Sequence, residues 1–237
     1  MCDDRRTEGA VTPQVAVVDD DSLLRQQFPA AFPALDVVAT YATVEALLAA
    51  RPVVDLVVLD LHLSTRLGAS PCLQGPAAIR RLASEGYRVC LFTDERRPLV
   101  LAHCLSSGAV GLTRKSDPLD TIQGAFLLAS AGGEPVAASA LGLAEVLARR
   151  GSLPHLTQRQ VEILSARARG ETWASIARRL SITQDTATEH LYKAMSKVLL
   201  FLHQAQLEPD ASPGDVERAM GLGPGDVLDA HSGRYRP

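Results

Sequence analysis

Residues that could do phosphoryl chemistry stand at the ends of four apolar runs. VAVV runs into Asp19, Asp20 and Asp21; VDLVVLD ends on Asp60; YRVCLFT ends on Thr93; and AVGLT is followed by Lys115. Adjacent carboxylates repel one another, so the acid triplet is either a solvated turn with a helix cap or a set of ligands around a cation. Acids at strand ends often do no more than cap the next helix, and Asp21 reads as such a cap and Asp94 as a solvated loop acid. The joint pattern asks for more. An acid pair, an acid, a hydroxyl and a lysine on one edge suit Mg²⁺, which takes few protein carboxylates and keeps several waters. Asp60 would then be a nucleophile, Thr93 a hydroxyl donor and Lys115 a point charge for a phosphoryl oxygen. The chain has 21 arginines and three lysines, and Lys115 is the first of the three. A compact ammonium at this place is not interchangeable with a planar guanidinium.

The elements that must position these groups can be read from the apolar pattern. Strands are expected at 15–19, 35–40, 54–60, 87–93 and 109–113. Their solid Val/Leu/Ile character suits a parallel sheet buried on both faces. Helix-like segments alternate with them, several closed by Gly. Five such units imply an α/β fold, a five-stranded doubly wound parallel sheet that gathers its ligands outside the carboxyl ends of its strands. The first and third strands should be neighbours there. GGEPVAAS reads as a break and residues 140–151 as a short connecting helix. Beyond Leu156 the pattern is all-helical: Thr157 caps a helix through Arg169, Thr172 caps a second through Leu180, and a third runs from about Gln184 to Leu202. One more short helix, displaced to about 213–221, is followed by a tail expected to be loose.

The 237 residues are 46% apolar and 22% charged with a net charge of −3, within the range of ordinary globular chains. Residues 151–205 carry seven basic and four acidic side chains, a local excess that permits nucleic-acid binding without demonstrating it. Cys2, Cys72, Cys90 and Cys104 form no metal-ligand spacing and read as free thiols in a reducing cytoplasm. The first residues lack the apolar core of a secretory signal, and no run reaches the ~18 residues of a membrane span.

VVDD (17–20), LVVLD (56–60), LFT (91–93) and GAVGLTRK (108–115) resemble the receiver domain of two-component response regulators, a flavodoxin-like fold. The resemblance covers roughly residues 14–131. It implies that Asp60 accepts a phosphoryl group from a sensor histidine kinase or other phosphodonor. It also implies that Mg²⁺ is held by Asp20, Asp60 and the main-chain carbonyl of His62, with Asp19 assisting through water. The chain departs from the family in three places. The loop after Asp60, LHLSTRLGASPCLQG, is long and lacks the usual Met-Pro-Gly turn. Leu112 stands where the family carries the Tyr or Phe that couples to Thr93. Pro29 and Pro33 require a short or broken first helix. Asp94 also replaces the usual small residue after Thr93.

Residues 156–198 resemble the LuxR/NarL-type helix-turn-helix, matching at Leu156, Thr157, Arg159, Glu162, Gly170, Ile176, Ala177, Leu180, Ile182, Thr186, His190 and Lys197 among others. The all-α domain would place the start of its third helix in a major groove of double-stranded DNA. Thr188, Glu189 and Tyr192 are expected at base edges, and Lys193 and Lys197 at phosphates. For Glu189 a solvated helix face is an equal reading, and Trp173 and His190 read as packing residues. VLLFL (198–202) would pack on a partner helix or on the core. The expected organisation is a receiver domain at 14–131, a linker at 132–155, the DNA-binding domain at 156–202 and an extension at 203–237, in a cytoplasmic homodimer with no membrane contact. The leading function is a transcription regulator controlled by phosphorylation of Asp60. The alternatives are a regulator whose receiver binds a protein or small ligand with phosphorylation unused, and an aspartate-dependent Mg²⁺ phosphatase, for which no substrate-binding cap domain is visible.

Overall fold

The computed structural model describes residues 12–224 except 64–71, 134, 136–137, 151–155, 206 and 209. The loop after Asp60 therefore lies largely outside the described residues, as do the first eleven residues and the tail beyond 224. Strands β1 (Gln14–Val18), β2 (Asp36–Tyr41), β3 (Leu56–Leu59), β4 (Val89–Thr93) and β5 (Ala109–Arg114) form one parallel sheet in the order β2-β1-β3-β4-β5. The first and third strands are neighbours, as the doubly wound reading requires.

Alternation along the strands sorts the core into two layers. Val15, Val17, Leu56, Val58, Cys90 and Phe92 face one side, where α1 (Ser22–Ala31) and α5 (Leu119–Ser130) bring Phe28, Phe32 and Phe126. These three rings and Phe92 meet with centroids 4.6 to 6.1 Å apart, mostly tilted or edge-on, the arrangement aromatic quadrupoles favour. Helix α1 is short but unbroken. Pro29 falls near its end, so the missing N–H removes one bond just before the chain leaves the helix at Phe32.

Ala16, Val18, Val57, Leu59, Val89, Leu91 and Leu112 face the other side, packed against α2 (Val44–Ala50), α3 (Gly75–Ser84) and α4 (Pro98–Ser106). This second layer does not stop at α4. Linker helix α6 (Ala138–Arg150) adds Leu141, Leu143, Ala144 and Leu147. Three further helices follow: α7 (Gln158–Ala168), α8 (Trp173–Leu180) and α9 (Gln184–Gln204). The last two turns of α9 add Val198, Leu199 and Leu202, and α10 (Pro213–Ala219) with its flanks adds Leu207, Val216, Met220 and Leu222. One buried cluster thus joins the sheet to the helical half, and Val198, Leu199, Phe201 and Leu202 of VLLFL belong to it, whereas Leu200 is exposed. Thr157, Thr172 and Thr183 cap α7, α8 and α9 through their hydroxyls, Thr157 with a capping box closed by Gln160, which is why these helices start where the threonines stand.

Polar contacts cross the same seam. Arg80 of α3 pairs with Glu208 at 3.3 Å, and His203 Nε2 lies 3.3 Å from the Ala109 carbonyl. His103 of α4 is buried, its Nε2 2.5 Å from the Glu208 carbonyl; a carbonyl only accepts, so that nitrogen carries the hydrogen. Burial, aided by the nearby Arg80 charge, holds the His103 pKa below the ordinary value, against the Glu208 hydrogen bond and Asp210. A histidine whose pKa is lowered by folding contributes stability above its unfolded pKa of about 6.5, and that contribution is lost as the pH falls through the folded value. The urea midpoint of the native chain should therefore fall between pH 7 and pH 5. The His103→Gln variant should show a shallower fall over the same range.

Candidate functional site

The pocket at the carboxyl ends of β1, β3, β4 and β5 is assembled by four strands. Asp19 is buried directly after β1, Asp60 directly after β3, Thr93 is the last residue of β4, and Lys115 follows β5. Asp21 is not part of it. Its carboxylate accepts from the Leu23 and Leu24 amides and caps α1, and Asp94 is exposed to solvent. The acid triplet therefore divides: Asp19 and Asp20 belong to the pocket and Asp21 starts the helix.

Lys115 Nζ lies 2.8 Å from Asp19 Oδ2 and 3.1 Å from Asp60 Oδ2. All three side chains are largely withdrawn from water. Burial raises the Asp60 pKa, opposed by the charge and hydrogen bond of Lys115. Burial works against the Lys115 ammonium, but the hydrogen bonds and charges of Asp19 and Asp60 outweigh it and raise its pKa. The second Asp60 oxygen, Oδ1, accepts from the Leu61 amide at 2.8 Å. Arg25 of α1 donates to the Asp19 carbonyl at 2.5 Å, and the Asp21 amide donates to Asp19 Oδ1 at 2.8 Å. Backbone and side-chain donors thus fix both acids before any ligand arrives.

One ligand oxygen from each of Asp19, Asp20 and Asp60 can be chosen so that all three lie within 4.8 Å of one another. Carboxylate oxygens without nitrogen or sulfur are the donors that hard divalent cations select, so the residues fit Mg²⁺. Bound there, such an ion would neutralise the acids and polarise an incoming phosphoryl oxygen.

Glu95, which no sequence pattern singles out, lies buried beside this pocket. Its amide donates to Thr93 Oγ1 at 3.2 Å. Its carboxylate accepts from the Arg96 and Arg97 amides, both at 2.8 Å, from the Arg97 guanidinium, and from His62 Nε2 at 3.1 Å. The Arg97 hydrogen bond, with these other donors, holds its pKa down at about 2 against burial. An acid two residues after Thr93 has nothing in its spacing to set it apart.

In the helical half, Ile176 of α8 packs with Ile163, Ala166 and Ala187, Trp173 and Leu180 close the cluster, and Ala177 is buried. Trp173 lies under the Arg167 guanidinium, 4.6 Å from the ring centroid, which agrees with a packing role. The turn from α8 to α9 uses Ser181 in the left-handed conformation, φ 54°. On α9, Glu189 and Lys193 are exposed and paired at 2.6 Å, one turn apart. Thr188 is half-buried, its hydroxyl donating to the Gln184 carbonyl. Lys197 is half-buried and donates to Gln160 Oε1 at 3.1 Å, tying α9 to the start of α7. Tyr192 is half exposed and lines a cavity of about 400 Å³ shared with Leu112, Asp120, Gly124 and Pro135 of the first domain and linker. Glu189 and Lys193 thus stand on the open side of the helix, Tyr192 faces the first domain across the cavity, and Lys197 sits against its own domain.

A doubly wound sheet with an acidic pocket, joined to a helix-turn-helix, defines a signal-receiving regulator with a DNA-binding module. Residues 154–200 match the family described as bacterial regulatory proteins, luxR family. The chain is 31% identical over 193 residues to response regulator RamR of Streptomyces coelicolor, covering 78% of this chain and 89% of RamR. It is 31% identical to the probable transcriptional regulatory protein SgaR of Hyphomicrobium methylovorum, covering 67% and 72%. It is 32% identical to the methanol utilization control regulatory protein MoxX of Paracoccus denitrificans, covering 65% of this chain and 64% of MoxX. The fold matches RcsB of Salmonella typhimurium at a TM-score of 0.50 with 18% identity, over 81% of this chain and 97% of that one. The chain belongs to the response regulators and carries a luxR-family DNA-binding domain: it is a DNA-binding regulator of transcription. Among the described residues no helix is long and apolar enough to cross a membrane.

Removing the ammonium should expose what it balances. Lys115→Met leaves two buried carboxylates facing each other and should cost about 3–5 kcal/mol in metal-free buffer. Mg²⁺ should restore part of that loss. Urea titrations of both proteins with and without Mg²⁺ measure the difference.

Proposed function

We propose that Asp60 is the phosphoacceptor and that its phosphorylation sets DNA binding by the helical half. The observation that carries this reading is the meeting of Asp19, Asp60, Thr93 and Lys115, from four strand ends, in one pocket. In the step itself an Asp60 carboxylate oxygen attacks phosphorus. The bond from phosphorus to the donor's nitrogen or oxygen breaks, and the leaving group keeps the electron pair. Asp20, Asp60 and the His62 carbonyl would hold Mg²⁺, with Asp19 assisting through water. Lys115 and the Thr93 hydroxyl would receive the phosphoryl oxygens. The donor is a sensor histidine kinase or a small acyl phosphate.

On the output side, Thr188, Glu189 and Tyr192 are assigned to base edges and Lys193 and Lys197 to phosphates, on a homodimer. RcsB from Salmonella enterica serovar Typhimurium is described bound to a promoter in the presence of the phosphomimetic BeF3⁻, which agrees with this assignment in kind. The domain limits read from the sequence, 14–131, 132–155, 156–202 and 203–237, are kept as functional units. A second reading, a receiver that binds a protein or small ligand, draws on Leu112. That residue is buried, and its amide donates to the Pro135 carbonyl at 3.1 Å, so the aromatic swing usual in the family has no counterpart at this position.

Incubation with acetyl phosphate and Mg²⁺ should add one phosphoryl mass to the intact chain and none to Asp60→Asn. Absence of the adduct with both acetyl phosphate and a phosphohistidine donor would favour the second reading. For the output side, Lys193→Ala should weaken duplex binding across sequences and lower the salt-dependence slope by about one, as read by titrations at several salt concentrations.

A further inference from the structure

The usual aromatic route from phosphoacceptor to output face is missing at Leu112, yet the output half is packed directly on α4. A signal from Asp60 therefore needs another way onto α4. Among the described residues, Leu61 and Leu63 of the phosphoacceptor loop share the buried cluster with α4, and the polar side chains that span the gap are those of His62 and Glu95. His62 stands two residues after Asp60, and its ring is exposed on the loop. Its Nε2 meets Glu95 Oε2 at 3.1 Å. Glu95 is 7% exposed, and its other bonds all point to the start of α4. It accepts from the Arg96 and Arg97 amides just ahead of the helix and from the Arg97 guanidinium. Arg97 is the N-cap residue and makes no side-chain cap of its own, and Pro98 opens the helix without an N–H. The Glu95 carboxylate therefore anchors the entry to α4. The Glu95 amide also donates to Thr93 Oγ1, which leaves the Thr93 hydroxyl hydrogen free for an acceptor in the pocket. A shift of either loop is thus felt at one carboxylate, and that carboxylate is bonded to the helix on which α6, α9 and α10 rest.

We propose that Glu95, through its bond to His62, is the residue that couples the phosphoacceptor loop to helix α4 and so to the DNA-binding half. The inference rests on Asp60 being the phosphoacceptor. Glu95 is a positioning residue here: it touches neither donor nor phosphoryl group, and its effect passes through His62 on one side and the α4 entry on the other. Two sites coupled in this way bias a shared element.

The test is hydrogen–deuterium exchange on the full chain, with and without acetyl phosphate and Mg²⁺, at an adduct occupancy verified by intact mass. In the native chain, phosphorylation should change exchange in peptides from α4, the end of α9 and α10 by at least about fivefold. In Glu95→Gln, which keeps the side chain's shape but cannot accept from both His62 and Arg97, the same adduct should leave those peptides within about twofold of the unphosphorylated protein. His62→Ala, which leaves the α4 anchor intact, should do the same, and the double variant should lose no more than either single one. A simple packing role would shift exchange equally in both states and leave the phosphorylation-dependent change intact. Should Glu95→Gln fold poorly, the exposed His62 ring carries the test. Phosphorylated variants that respond like the native chain would overturn the coupling role while leaving Asp60 in place. A native chain that takes no phosphoryl group from acetyl phosphate or a phosphohistidine donor would overturn the phosphoacceptor reading and the coupling with it.

Discussion

Helix α4 has almost no polar face. Its sequence, PLVLAHCLS, places Leu101, Ala102, Cys104 and Leu105 out of contact with water, and His103 and Ser106 are buried with them. A helix that is apolar all round must be covered all round. The sheet covers one side of α4, and α6, the end of α9 and α10 cover the rest. Roughly 25 cal/mol for each Å² of apolar surface withdrawn from water drives that closure. The placement of the DNA-binding half follows from it, because exposing α4 would open the largest buried cluster among the described residues.

The pocket obeys a different balance. Asp19 and Asp60 are buried beside one another, and the Lys115 ammonium, the Arg25 guanidinium at the Asp19 carbonyl and amide donors offset their charges. A buried ion cluster of this kind contributes little net stability, because desolvation consumes most of the attraction. What it retains is geometry: the carboxylate that would attack, the carboxylates that would hold a cation and the ammonium that would meet a phosphoryl oxygen are in place beforehand. Glu95 repeats the arrangement one loop away, with guanidinium, imidazole and amide donors around a single acid. The two networks meet through Thr93, which ends β4 in the pocket and receives the Glu95 amide.

Much of this was legible in the chain. Solid apolar runs gave the five parallel strands, and the acids at their ends gave the pocket, because a strand end fixes where its last side chain must lie. Thr157 and Thr172 marked two helices of the helical half through capping, whereas the cap of the third, Thr183, was not read. What could not be read were the relations between distant segments. Nothing local distinguishes Glu95 from a solvated acid such as Asp94, since its importance comes from His62 on another loop. VLLFL was visible as apolar, but not that Val198, Leu199 and Leu202 would join the buried cluster around α4 while Leu200 stays exposed. The place of Lys197 on its helix was legible too, but not its hydrogen bond to Gln160, 37 residues back.

The contact between Pro135 and β5 bears on how the sheet meets other sheets. β5 is an outer strand, and outer strands offer unpaired amides and carbonyls to any neighbouring chain. Here the Leu112 amide is already spent on the Pro135 carbonyl, and the linker lies so close that a Cβ on Gly111 would stand 2.6 Å from the proline ring. Glycine at 111 is what lets the linker lie there, and proline at 135 offers the incoming chain no amide of its own. At Leu112 this margin of the sheet is therefore closed to strand addition by the chain's own connector. The opposite margin, β2 with the exposed Val38, is the one left for edge-to-edge growth.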